Sequence, residues 1–176
     1  MTKAGTAPSA EAEFSTVGGR RSRRTGGKRR QAREMALQML YQRELGDAGP
    51  TQLLRAFDLH AFRAETADAG SSPRASELAL DYARTLVEGS LAHQESIDRL
   101  VADQADNWRL ERMPVVDRNV LRLAVYEMRF QPDVPAVVVI DEAIELAKKF
   151  GSEESGRFVN GILDALRTTL AADSKR

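Results

Sequence analysis

Val134-Pro-Ala-Val-Val-Val-Ile140, continued by Asp141-Glu-Ala-Ile-Glu-Leu-Ala-Lys-Lys-Phe-Gly151, decides the fold. Its first half alone reads as a buried strand, because Val137, Val138, Val139 and Ile140 stand in a row. The second half overrides that reading. Ile140, Ala143, Ile144 and Ala147 keep the period of about 3.6 that marks one face of a helix. Gly151 supplies the stop. Asp141 and Glu142 lie in the early turns and Lys148 and Lys149 in the last, each sign at the end the backbone dipole favours. The segment is predicted as a helix from Pro135 to Phe150.

The same period recurs on both sides of it. Met35, Ala36, Met39 and Leu40, widened by Leu37 and Tyr41, predict a first helix from Lys28 to a stop at Gly46. Thr51 after Pro50 caps a short second helix carrying Leu53, Leu54 and Phe57. Residues 65–73 read as loop. Ser72-Pro73 starts a long third helix, roughly 74–103. Its seam is Ala79, Tyr82 or Ala83, Leu86, Ser90, Ile97 and Leu100 or Val101. Gly89 within it costs up to about 1 kcal/mol against alanine and is read as a point where another helix comes close. Trp108 to Met113 is a short helix ended near Pro114. Asp117 starts the next, with Val120, Leu121, Ala124, Val125 and Met128 on one face, broken by Gln131-Pro132-Asp133. Ser152 caps the last helix, with Glu153 and Glu154 in its first turn and Phe158, Val159, Ile162, Leu163 and Leu166 as its apolar face. The pattern gives six or seven helices, no strand and no internal repeat: an all-α domain over 28–172.

The 176 residues include 26 basic and 26 acidic side chains, so the formal charge is zero. There is no cysteine, which excludes disulfides, thiolate zinc, iron–sulfur clusters and a cysteine nucleophile. Two histidines, His60 and His93, exclude a histidine-rich metal site. No apolar run approaches the roughly 18 residues of a membrane span, and no signal-peptide core opens the chain. A cytoplasmic location is expected.

The zero conceals a division. Arg20 to Arg33 holds eight basic residues and no acid; the rest is 18 basic against 26 acidic, a net of −8. The block ends a Gly-, Ser- and Arg-rich segment, residues 1–27, that is too poor in large apolar side chains to order itself and is expected to be disordered. A basic arm on an acidic body points to a polyanion, above all nucleic acid. Arg29, Arg30 and Arg33 carry the arm into the first helix, where guanidinium forks are held for phosphate.

A second candidate is the start of the last helix, where Arg157 and Asn160 flank Phe158. Backbone donors there suit an anion and the ring suits an unpaired base. Equally, Phe158 and Val159 are core. Asp141, Glu142 and Glu145 read as a solvated face with Glu145 paired to Lys149 before they read as a metal site. Trp108 is a core or interface anchor. Thr25-Gly-Gly-Lys28 lacks the spacing of a phosphate loop. No catalytic constellation is present.

Arg30-Gln-Ala-Arg-Glu-Met-Ala-Leu-Gln-Met-Leu-Tyr41, Val116-Asp-Arg-Asn-Val-Leu-Arg-Leu-Ala-Val-Tyr-Glu127, and the opening segment with Arg157-Phe-Val-Asn-Gly-Ile-Leu163 together resemble the NusB family of bacterial antitermination factors. The resemblance covers about residues 28–170. It implies about seven helices in two subdomains and no catalysis or cofactor. It implies binding to boxA-type single-stranded RNA of ribosomal RNA operon leaders, in a heterodimer with NusE, a ribosomal small-subunit protein. That pair acts with other Nus factors on RNA polymerase. Arg29, Arg30, Arg33, Ser155, Arg157 and Phe158 match RNA-contacting positions. Tyr41, Glu111 and Asp117 match the face toward NusE. Gln31 departs from the basic pattern, and Gly156 is expected to loosen the first turn of the last helix. Alternative readings are the related RNA-binding module of an rRNA methyltransferase and a structural homodimer joined through helix three.

Overall fold

The computed structural model describes residues 17–46, 49–65, 72–105 and 109–173, with side chains described between 27 and 171. Residues 1–16, Trp108 and the middle of the 65–73 loop lie outside the described residues, and so do the readings made on them. The order is α1 (Val17–Leu45), α2 (Pro50–Ala56), α3 (Leu59–Glu65), α4 (Pro73–Ala92), α5 (Gln94–Gln104), a single 3-10 turn at Leu110–Arg112, α6 (Val115–Phe130), α7 (Ala136–Phe150) and α8 (Ser155–Asp173). The described residues contain no strand.

The deciding segment is helical. Val139, Ile140, Ala143, Leu146 and Ala147 are buried on α7, while Val137 and Val138 face outward. A strand would alternate them; here the four β-branched residues divide between two sides of a helix. Prolines precede both α6 (Pro114) and α7 (Pro135). At α4, Ser72 Oγ accepts the Ala75 N–H at 3.3 Å and Pro73 occupies the first helical position.

α6 is the axis of the molecule. It packs against α1, α4, α5, α7 and α8, and α1 lies along α4 while α7 pairs with α8. Val120, Leu121, Leu123, Ala124, Val125 and Tyr126 are all buried, so α6 is covered on every side through its middle. Ala79, Ala83 and Leu86 of α4 are likewise covered within the same chain. The face on which a helix-three homodimer would rest is therefore already used.

Several boundaries differ from expectation. α1 starts at Val17 rather than Lys28, so the second part of the expected disordered tail is helical. Arginine is a strong helix former, and a helix nucleated by packing extends at one hydrogen bond per residue. α3 was not expected; Asp58 Oδ1 caps it by accepting the Ala61 N–H at 2.9 Å. The long third helix breaks at His93, whose backbone is not helical (φ −108°, ψ 14°). The His93 ring stacks on Phe130 with centroids 4.2 Å apart. The break turns α5 away from α4 and onto α6 and α8. α6 begins at Val115, two residues before Asp117. α8 begins at Ser155, leaving Glu153 and Glu154 in the preceding turn. Ser152 is not a side-chain cap there; its own N–H donates to Ser155 Oγ at 2.8 Å.

Gly89 does admit a neighbour. A Cβ built on it would fall inside the Tyr126 ring of α6. Gly89→Ala is expected to cost about 1–3 kcal/mol from overpacking, despite alanine's better helix propensity. Tyr126→Leu in the same chain should recover most of that loss. Thermal melts of the two variants test this; an unchanged melting temperature for Gly89→Ala would show that the ring yields freely.

Candidate nucleic-acid interface

The stretch of α1 from Arg29 to Arg33 lies where α4, α6 and α7 meet, and each sends a side chain to it. Arg33 is buried, although the sequence placed it among the RNA contacts. Its Nε and Nη2 donate to Glu127 of α6 at 2.8 and 2.6 Å. Tyr82 of α4 donates its hydroxyl to the same carboxylate at 2.9 Å. Burial, then the Glu127 charge, push the Tyr82 hydroxyl above its ordinary range. Arg33 Nη1 also lies 3.6 Å from Glu142 of α7. A guanidinium so enclosed does not meet phosphate, and Arg33 is corrected to an internal anchor.

Arg29 and Arg30 stay at the surface. The Arg29 guanidinium carbon lies 5.7 Å from the Tyr82 ring centroid, a cation–π distance. Arg30 forms a two-bond fork with Glu142, from Nε at 2.9 Å and Nη2 at 2.7 Å. The hydrogen bond and charge of Glu142 raise the Arg30 pKa further.

α7 links this edge to the start of α8. Lys149 reaches back to Glu34 of α1 at 2.9 Å, and Glu145 pairs with Lys148 rather than with Lys149. A Cβ on Gly156 would come within 2.8 Å of Lys148 Cγ, so the glycine seats that lysine stem against α8. Gly156 therefore serves close packing and does not loosen the turn. Of the three candidates here, Ser155 is buried in the turn, and Phe158 is half-buried against the core. Arg157 is exposed and paired with Glu154 at 3.0 Å. Glu142 and Glu145 are committed to cations, and the described residues hold no group of three or more metal-ligating side chains.

The expected partner face divides too. Tyr41 is exposed and borders a groove of about 570 Å³ with Phe62, Phe150, Glu34 and Glu65. The buried Gln38 Oε1 on that groove has no partner. Glu111 is exposed on the 3-10 turn, which Arg118 Nη1 holds through the Leu110 and Met113 carbonyls at 3.0 and 3.2 Å. Asp117 is 3% exposed and is corrected to an interior residue. Burial raises its carboxyl above the ordinary value, opposed by the Ser155 hydroxyl.

A second network was not foreseen. Glu44 of α1 pairs with Arg118 and Arg122 of α6, and Arg122 forks onto Asp98 of α5 at 2.7 and 2.8 Å. Burial would raise the Glu44 carboxyl, but the two guanidiniums hold it below its ordinary value.

The NusB family model matches residues 30–168. The chain belongs to the NusB family. A curated NusB transcription antitermination protein from Myxococcus xanthus is 45% identical over 144 residues, covering 82% of this chain and 97% of that relative. Among solved NusB structures, that of T. maritima aligns with a TM-score of 0.59 at 41% identity, covering 80% of this chain and 90% of the other. A NusB solved with NusE and double-stranded RNA aligns with a TM-score of 0.64 at 30% identity, covering 81% and 97%. NusB proteins are RNA-binding antitermination factors and not enzymes.

Two outcomes follow for the buried charges. Arg33→Met strands Glu127 and is expected to cost about 3–5 kcal/mol; adding Glu127→Leu should restore most of it in denaturant unfolding. At Asp117, a raised carboxyl holds its proton more tightly when folded. Its contribution to stability is therefore full below the unfolded value and declines as pH rises through the folded one. Asp117→Asn should melt higher than the parent at neutral pH and lose that advantage below the ordinary carboxylate range. Melting curves across that range read the sign.

Proposed function

We propose that this NusB-family protein binds boxA-type single-stranded RNA of ribosomal RNA operon leaders together with NusE. In this reading it acts in the cytoplasm, through other Nus factors, to keep RNA polymerase elongating. One observation carries the reading. Arg29 and Arg30 are held at the surface edge of a fixed framework, one over Tyr82 and the other on Glu142. Cations held by packed neighbours in this way lose less entropy on binding than side chains that move freely. Arg157 extends the surface across α7, and the half-buried Phe158 offers a ring edge beside it. The NusB crystallised with NusE and RNA supports the pairing of partners.

For NusE, Tyr41, Glu111 and the groove beside Phe62 and Phe150 supply the contact. Their acids and the unpartnered Gln38 carbonyl suit a basic protein.

The test titrates boxA RNA and a scrambled strand, with and without NusE, at two salt concentrations. boxA should bind more tightly than the scramble, and NusE should widen the gap. Arg29→Ala should weaken both strands and flatten the slope of log K against log salt by about 0.7. Glu111→Lys should reduce NusE co-purification while leaving binding of RNA alone unchanged. Equal affinity for boxA and scramble in the presence of NusE would overturn the reading.

A further inference from the structure

Arg29 and Arg30 are neighbours, but their surroundings fit different tasks. Arg29 has no carboxylate partner among the described residues. Arg30 is paired with Glu142, which accepts from Nε at 2.9 Å and Nη2 at 2.7 Å. Glu142 is itself fixed: it is mostly buried on α7 and lies 3.6 Å from the enclosed Arg33. The Arg30 side chain is 52% exposed. A guanidinium carries five N–H donors in one plane. The Glu142 fork uses two of them. Of the three that remain, one on Nη1 and one on Nη2 are parallel at the far end of the group, and the second on Nη1 points back toward the side-chain stem.

A phosphate offers two acceptors to such an edge, and so does the O6/N7 edge of guanine. Charge separates them. The Arg30–Glu142 pair has no net charge, so a phosphate gains little from the arginine and is repelled by the carboxylate. Guanine is neutral and needs only correctly aimed donors. Adenine sets a donor beside N7 and uracil sets its N3–H between O2 and O4, so neither fits the fork, whereas an unpaired cytosine offers O2 and N3 and is the base against which guanine is tested. In a single strand the O6/N7 edge is open to a side chain.

We propose that Arg30, buttressed by Glu142, is a base reader that selects an unpaired guanine in the bound RNA through its Nη1–Nη2 edge. Glu142 is its positioning residue. The proposal rests on the RNA-binding reading above and assigns within it a division of labour: Arg29 attracts backbone and Arg30 selects a base.

The experiment uses the full chain and short single-stranded RNAs that are uracil throughout except for one guanine, placed at successive positions. Counterparts carry 7-deazaguanine, which removes only the N7 acceptor, adenine or cytosine. For the best-placed guanine, the parent should prefer guanine over adenine by about 5- to 150-fold, with 7-deazaguanine weakened in the same direction, and a cytosine bound as tightly as guanine would overturn the proposal. Arg30→Ala should abolish the preference and leave the salt slope unchanged. Arg30→Lys keeps the charge without the fork and should also lose the preference. Glu142→Gln should reduce the preference and steepen the salt slope, because it frees the Arg30 charge. Far-UV circular dichroism checks that each variant is folded. If Arg30→Ala weakens all strands alike and flattens the slope by about 0.7, Arg30 is a phosphate contact and the proposal fails while the RNA-binding reading stands. If the parent binds none of these strands nor boxA, the RNA-binding reading itself has failed.

Discussion

The Arg33–Glu127 pair is the constraint on which the rest of the structure depends. Two opposite charges are withdrawn from water between α1 and α6, at a desolvation cost that only close geometry offsets. Glu127 meets that condition with three donors, two from Arg33 and one from Tyr82. Those bonds fix the rotation of α1 about its own axis against α4 and α6. Once Arg33 is set, Arg29 and Arg30 can lie only where they do, one turn earlier and at the surface. The internal pair thus determines the aim of the external ones.

The same economy explains where the acidic excess of the body is spent. Glu44 and Asp98 are consumed by Arg118 and Arg122, which tie α1 and α5 to α6. Glu142 and Glu34 are consumed by Arg30 and Lys149. Each removes a carboxylate from the surface that a net-charge figure would assign to a partner. What stays outward includes Glu111 on its pinned turn and Glu65 at the aromatic groove, beside Glu77, Glu88, Asp133 and Asp141 elsewhere on the surface.

The helices were legible in the sequence wherever apolar period and stop signals agreed, as in α7 with Gly151 and α4 with Ser72-Pro73. α3 was missed although Asp58 before Phe62 is a cap followed by an apolar residue, because the run is only seven residues long. The break at His93 was hidden because Ile97 and Val101 continue the seam in register across it. The site was less legible. Arginine and aspartate read as surface residues, since they are seldom fully buried without partners. A signal was present all the same. Arg33 precedes Ala36, Leu37 and Leu40 at helical spacing, and Glu127 follows Val120 and Leu123 in the same way. A single cation on one apolar seam and a single anion on another is the pattern of a buried pair. For Asp117 no such mate exists in the pattern, and its burial follows from tertiary packing alone.

The enclosure of α6 also bears on how the molecule opens. The amide hydrogens in the middle of α6 sit behind five other helices and meet solvent only when several of those have left. Exchange from the middle of α6 therefore requires a nearly global excursion, whereas α2 and α3, at the margin of the bundle, can detach and return in private. The edge proposed for RNA is built upon the slow part of the molecule and the aromatic groove partly upon the fast part, through Phe62. The proposed RNA edge would thus hold one form, while the proposed partner groove could open and close at its margin without disturbing it.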